Sequence, residues 1–355
     1  MADFGNFVIY LIMMGAVIGA CASVLKPESG LGREFVNGIH SIGPVFLAQA
    51  GIMISIPFLS KFIEMALGPY FSLMGSDVSI AALSIIAVDM GGYQLADAIA
   101  ANRDVWITAM IVGYTSGATI VYLIPVGLMM LDRKDHRYLA LGAMAGLISI
   151  PFAVLASLVM ITTFNLPVRE MVSTNSPALH YLTLDFVACL KLLAPLFIFC
   201  FVLAAGLRYK ANLMVTGFLV FGKVMDAFIK IILALAIVEH FTGFFMKNFG
   251  VWGFDLMFAN IIAVYHMFKN LNARDKVLCV ALGVCAQATI GDHLAFTANF
   301  QPTLIMPVLL AKLFGGLLAA GIAIKISVPA ALRYEAQERT QQAELDCPQT
   351  ALRCA

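Results

Sequence analysis

Two carboxylates stand inside apolar sequence, Asp89 in Asp89-Met90-Gly91-Gly92-Tyr93 and Asp292 in Gly291-Asp292-His293. An acidic residue at the centre of a membrane-spanning helix costs about 2.5–3.5 kcal/mol on insertion scales, so it normally faces a cavity or a partner. The adjoining glycines let a helix break at that point and free backbone groups for a ligand. At Asp89 the pattern suits a small cation, with Tyr93 offering a phenol or a ring face to an ammonium group. The plainer alternative is a cap for a half-helix that starts at Gly91, and a cap can itself be a ligand. Asp292 with His293 suits a second polar wall in which the imidazole accepts a proton near neutral pH. Its plainer alternative is a cap beside a satisfied interfacial histidine.

Lys312 lies within the apolar run from Thr303 to Val328. Its ammonium must pair with a carboxylate, Asp89 or Asp292 being the candidates, or snorkel to an interface. Lys312 and His293 are therefore the candidates for an ion pair or for proton coupling. Phe296, one turn beyond Asp292, is a second ring for the cation. Asn260, Gln287, Thr289, Asn299 and Gln301 can serve as interhelical hydrogen bonds or as the lining of a path. Lys223, Asp226 and Lys230 form one helical stripe, most simply a solvated face.

Other chemistries fit less well. Two intramembrane aspartates also suit peptide hydrolysis, but aspartyl proteases of that kind carry Tyr-Asp, Gly-x-Gly-Asp and a later Pro-Ala-Leu. Here Val88 precedes Asp89, Thr289 replaces the first glycine, and Pro177 to Leu179 lies upstream. Seven scattered cysteines include no Cys-x-x-Cys pair, and no second ligand pair has metal spacing. Neither metal nor cofactor is expected.

The elements that must hold these residues follow from composition. Hydrophobic residues make up 61% of the 355 and charged residues 12%, with a mean hydropathy of +0.92. That is too little polar surface for a soluble protein and marks an integral membrane protein. A net charge of +1 leaves no basic field for nucleic acid. Measured against the roughly 20 apolar residues that a spanning helix needs, the candidates are Phe4 to Leu25, Ile42 to Ser60, Val105 to Leu131, Tyr138 to Thr163, Leu192 to Gly206, Leu213 to Val238, Val251 to Phe268 and Thr303 to Val328. Ser79 to Ala100 and Val277 to Phe300 are the two interrupted by acid and glycine. The expected fold is all-α and polytopic, with about ten spanning or re-entrant helices. Residues 1–330 form the transport domain and 331–355 a short soluble tail. If every segment crosses, lysine and arginine concentrate on the side of the even-numbered loops and the tail, so both termini are expected in the cytoplasm.

Leu83 to Gly117 and Ala286 to Gly316 share an order of features: an apolar run, Asp, an aromatic four residues on, a polar turn, an apolar helix and glycines. Two related halves with interrupted helices would explain this, as would the general likeness of glycine-rich membrane helices.

Several longer strings carry a resemblance. Asp89-Met-Gly-Gly-Tyr-Gln-Leu-Ala96, Ala118-Thr-Ile-Val-Tyr-Leu-Ile-Pro125, Asp135-His-Arg-Tyr-Leu-Ala-Leu-Gly142, Gly291-Asp-His-Leu-Ala-Phe296 and Lys312-Leu-Phe-Gly-Gly316 occur in the order seen in the ethanolamine utilization permeases of bacteria. The chain resembles that family from first helix to last. The resemblance implies a multi-pass protein of the bacterial inner membrane that admits ethanolamine for breakdown to ammonia and acetaldehyde by partner enzymes. The chain departs from the family pattern between about Trp252 and Asn260, where it skips a stretch long enough for a spanning helix. Ala118 stands where proline is usual, and Asp226 and Lys230 where the family is apolar or neutral.

Overall fold

The computed structural model describes residues 2–33, 35–36, 61–169, 179–241, 265, 268–286, 289 and 292–351. Ile42 to Ser60, the skipped stretch between Trp252 and Asn260, and Gly291 lie outside them. The described chain is almost wholly helical, with one two-stranded antiparallel sheet pairing β1 (Pro167–Arg169) with β2 (Leu179–Tyr181).

In chain order the helices are α1 (Ala2–Leu25), α2 (Val78–Ile85), α3 (Gly92–Ile99), α4 (Arg103–Ala118), α5 (Ile124–Met130), α6 (His136–Thr163), α7 (Phe186–Leu192), α8 (Ala194–Phe241), α9 (Ala273–Ala286), α10 (Asp292–Phe300), α11 (Ile305–Ile326) and α12 (Val328–Ala351). Among the described residues, three stretches are long and apolar enough to cross a membrane: His136–Thr163, Ala194–Gly222 and Pro302–Ile326. α6 is the hub, packing against α4, α8, α9 and α11. At 1.5 Å per residue its length is roughly 42 Å, enough to pass through the hydrocarbon core and both interfaces.

Local sequence explains the joints. Pro125 has no N–H to give to the preceding turn and its ring crowds the carbonyl four residues back. The chain relaxes there into a π turn, Thr119–Leu123, which joins α4 to α5. Asn102 caps α4 by accepting from Val105 N at 3.0 Å, and Asp77 caps α2 by accepting from Ser79 N at 2.8 Å.

The second oxygen of Asp77 accepts from Ala101 N at 3.2 Å. The start of α2 and the end of α3 therefore lie at one end of the bundle, so Ser79 to Ala100 doubles back on itself. The same end holds the sheet, Thr183 bonded to Asp104, and Ser76 bonded to the Leu192 carbonyl. At the opposite end Lys276 meets Asp135 at 2.6 Å, Arg137 pairs with Glu338 of α12, and Tyr334 bonds Asn212.

Arg208 and Lys210 fall at a break: Lys210 is non-helical (φ −137°, ψ 46°), so the run labelled α8 is two helices that meet there. The polar stretch after Arg333 is helical through Ala351, continuing α12, and its Glu338 is tied to the start of α6.

Candidate functional site

The tip of the doubled-back pair is built from a short irregular segment. Ile86 and Ala87 are extended, Val88–Met90 forms a 3-10 turn, and Gly91 adopts a left-handed conformation (φ 89°) that side-chain-bearing residues rarely take. This segment lies against α4 where α4 has no side chain: a Cβ on Gly117 would sit 2.3 Å from Ala87 Cα. Gly92 closes the turn, its N–H donating to the Ala87 carbonyl at 3.0 Å. The two glycines at positions 91 and 92 thus shape the break. Asp89 makes no capping bond to α3, whose cap position is held by Gly91 without a side-chain hydrogen bond. The cap alternative for Asp89 is not what the structure shows.

Asp89 meets the second interrupted region instead. Its Oδ1 faces His293 Nε2 at 3.3 Å, and His293 Nδ1 lies 2.7 Å from Lys312 Nζ. Lys312 also donates to the Tyr114 carbonyl at 2.8 Å. An ammonium has donors only, so Nδ1 is the acceptor and Nε2 carries the proton that points toward the carboxylate. The Asp89–His293 approach is off the line of a full hydrogen bond, and Asp89 Oδ1 and His293 Nε2 are both buried without one. Lys312 is 1% exposed, so it does not snorkel. It reaches Asp89 through His293 rather than directly.

A cluster of aromatic rings adjoins the chain of three at His293. Tyr114 stands edge-on to His293 at 5.8 Å and to Phe296 at 6.1 Å. Tyr93 stands edge-on to Phe296 at 5.5 Å and to Trp106 at 5.4 Å, and Phe296 stacks on Phe300 at 4.6 Å. Such rings can cover a cation with their faces. Thr297 steadies the histidine's backbone by donating to the His293 carbonyl.

The structure thus brings together Asp89, Tyr93, His293, Phe296 and Lys312 from five positions spread over the sequence. Asp292 opens α10 and Asn299 lies near its end; their side chains lie outside the described residues. Tyr114, Trp106 and Thr297 were missed by sequence reasoning. Tyr114 and Trp106 sit in the uncharged run of α4, and Thr297 is a small polar residue in α10. Gln301 was legible only as a polar residue beside an apolar run. Among the described residues no group of three His, Cys, Asp or Glu could hold a metal ion.

A family model described as "Ethanolamine utilisation protein, EutH" matches the chain over residues 4–255 and 244–326. The two matched pieces meet in the region where the chain skips sequence. The chain is 27% identical to the "Probable ethanolamine permease EutH" of Listeria monocytogenes, the alignment covering 95% of this chain and 98% of that one. It is 26% identical to the protein of the same name in Escherichia coli, over 90% and 95% of the two chains. It is also 26% identical to the "Uncharacterized protein YxeR" of Bacillus subtilis, over 89% and 93%. No solved structure matches.

Proposed function

Because the chain belongs to the EutH ethanolamine utilisation family, we propose that it is a permease for ethanolamine, carried as the ammonium. The free base crosses lipid readily and the charged form does not, so a permease matters most where the amine is protonated. The observation that carries this reading is the buried Asp89 Oδ1, which lacks a well-formed hydrogen bond while facing an imidazole backed by an ammonium. A buried acceptor left so is costly, and an incoming ammonium would satisfy it.

In this mechanism Asp89 pairs with the substrate ammonium and the rings of Tyr93 and Phe296 cover it. Gly91 and Gly92 shape the break beside Asp89, Gly291 joins them as a candidate by its place in the sequence, and the polar set of Asp292 and Asn299 receives the hydroxyl. His293 and Lys312 hold the countercharge and can relay a proton. The two-halves reading is supported by a recurring order: the half-helices α3 and α10 each lead, through a turn at the sheet end, into a long helix, α4 or α11, that carries paired glycines. Gly315 meets Ala153 and Cys285 as Gly113 meets Leu83 and Val88.

We place the protein in the bacterial inner membrane with the Asp135–Lys276 end toward the cytoplasm, because Arg133, Lys134 and Arg137 flank the start of α6, Arg274 and Lys276 the start of α9 and Lys325 the end of α11, as the positive-inside rule asks. Residues 1–330 carry transport and the tail is cytoplasmic.

The test is uptake of labelled ethanolamine into proteoliposomes at mildly acidic pH, comparing wild type with Asp89→Asn and Asp292→Asn. Undiminished uptake by Asp89→Asn would remove that residue from the role. A competition panel of choline, serinol and short amino alcohols separates ethanolamine from another small amine. Labelling by a transition-state aspartyl inhibitor, without flux, would point to a protease instead.

A further inference from the structure

Gln301 follows α10 directly and is completely buried. Its side-chain amide makes three bonds to two separate parts of the chain. Oε1 accepts from Arg169 N at 2.8 Å and Nε2 donates to the Arg169 carbonyl at 2.7 Å. One amide thus pairs with both backbone groups of a β1 residue, as a neighbouring strand would. The second Nε2 hydrogen goes to the Tyr93 hydroxyl at 3.0 Å. Thr303 adds a tie from the next turn to the Pro167 carbonyl.

These bonds lie at the sheet end, eight residues along the chain from His293, or roughly 12 Å at the helical rise. Gln301 is therefore too far away to touch a substrate held at Asp89. Between the two levels stand the rings of Tyr93, Phe296, Phe300 and Trp106, packed edge to face and face to face. Tyr93 links the two sets: its ring packs on Phe296, which in turn meets the Tyr114 ring beside His293, and its hydroxyl is held by Gln301. A polar side chain buried at this depth and satisfied at both ends of its amide fixes two elements relative to each other.

We infer that Gln301 is the positioning residue that keeps the path from the sheet end to Asp89 closed, by holding β1 and Tyr93 together. The inference rests on the permease reading for its purpose and on the hydrogen bonds of Gln301 for its substance. Substrate entry from that end requires the amide to release Tyr93, β1, or both. The chemistry of glutamine is needed at this position. Glutamate keeps the acceptor for Arg169 N but sets a second acceptor against the Arg169 carbonyl, and leucine of similar size offers neither.

The chain has two tryptophans, so a Trp252→Phe background leaves Trp106, in contact with Tyr93, as the reporter of closure. In purified protein of that background, acrylamide quenching of Trp106 is compared among the parent, Gln301→Leu, Gln301→Glu and Tyr93→Phe, each checked for helicity and a single size-exclusion peak. The expected result is a rise in quenching of several-fold for both Gln301 variants without ethanolamine, and a smaller rise for Tyr93→Phe, which loses one bond of the three. In cells, Gln301→Leu should lower both KM and Vmax for ethanolamine uptake, because an entrance biased open binds more readily but recloses poorly.

Equal quenching in the parent and in folded Gln301→Leu overturns the inference, as does a fall in Vmax with unchanged KM and quenching, which would mean a merely structural role. If the parent carries no ethanolamine, the permease reading fails, while the quenching comparison still decides whether Gln301 holds the closure. Should Gln301→Leu not fold, Gln301→Glu and Tyr93→Phe decide it on the same readouts.

Discussion

Lys312 and Asp89 do not touch: His293 stands between them, with Nδ1 2.7 Å from the lysine Nζ and Nε2 3.3 Å from the carboxylate Oδ1. A negative and a positive charge are thus both buried and linked through one ring whose two nitrogens have opposite roles. In the proposed permease, separating the charges in this way would let the carboxylate take an external cation without first displacing the lysine.

The charge balance across that ring predicts the behaviour of single and double variants. Lys312→Met leaves Asp89 without its countercharge and should destabilise the protein by on the order of 3 kcal/mol, read as a lower thermal midpoint in detergent. The double variant Asp89→Asn with Lys312→Met should recover much of that loss, since neither charge then remains. Additive losses in the double variant would show that the two are not coupled.

Close approach at Gly117 predicts a steric effect with a functional consequence. Gly117→Ala places a methyl group 2.3 Å from Ala87 Cα, which should cost about 1–3 kcal/mol and shift the tip that carries Asp89. Ethanolamine uptake should fall with it. Gly321→Ala is the control: a Cβ there meets nothing within 4 Å, so stability should stay within about 0.5 kcal/mol.

The opposite end of the bundle holds two ion pairs of unequal weight. Asp135 is 2% and Lys276 12% exposed in their side chains, and Lys276 also lies over the rings of Tyr138 and Phe268. Lys276→Met should destabilise by about 3–5 kcal/mol, the cost of leaving a buried partner unpaired. Arg137 and Glu338 are about a third exposed, so Glu338→Ala should cost no more than about 1 kcal/mol. Thermal unfolding of both variants side by side checks the order.

A weaker apparent affinity is expected when the rings are thinned. Phe296→Leu keeps the apolar volume but removes one ring that faces both Tyr93 and Tyr114. Uptake of ethanolamine should become a few-fold weaker in KM, as loss of one cation–π contact of about 1 kcal/mol implies. An unchanged KM would take Phe296 out of the substrate's surroundings.

Much of the site was legible in the sequence because its cost was legible. Asp89, His293 and Lys312 are conspicuous in apolar runs, and the glycines next to the two acids mark where a helix can break. Tyr114 and Trp106 gave no such signal, since an aromatic residue in an apolar helix reads as packing until its neighbours are known. The interruption at Lys210 was legible as well, because the charges of Arg208 and Lys210 punctuate the hydropathy pattern where the backbone leaves the helix.

Composition and patterning alone determined that the chain is a helical membrane protein, which residues are too expensive to be there without a purpose, and which family it resembles. These are properties of single residues and short runs, set by the cost of moving each group out of water. Tertiary structure decided what those residues do to one another: that Ser79 to Ala100 doubles back, that His293 separates Lys312 from Asp89, and that Gln301 ties β1 to Tyr93. Such relations depend on helices meeting at glycine faces and on one side chain reaching two distant backbones. No local pattern encodes them, because the partners lie up to 208 residues apart in the chain.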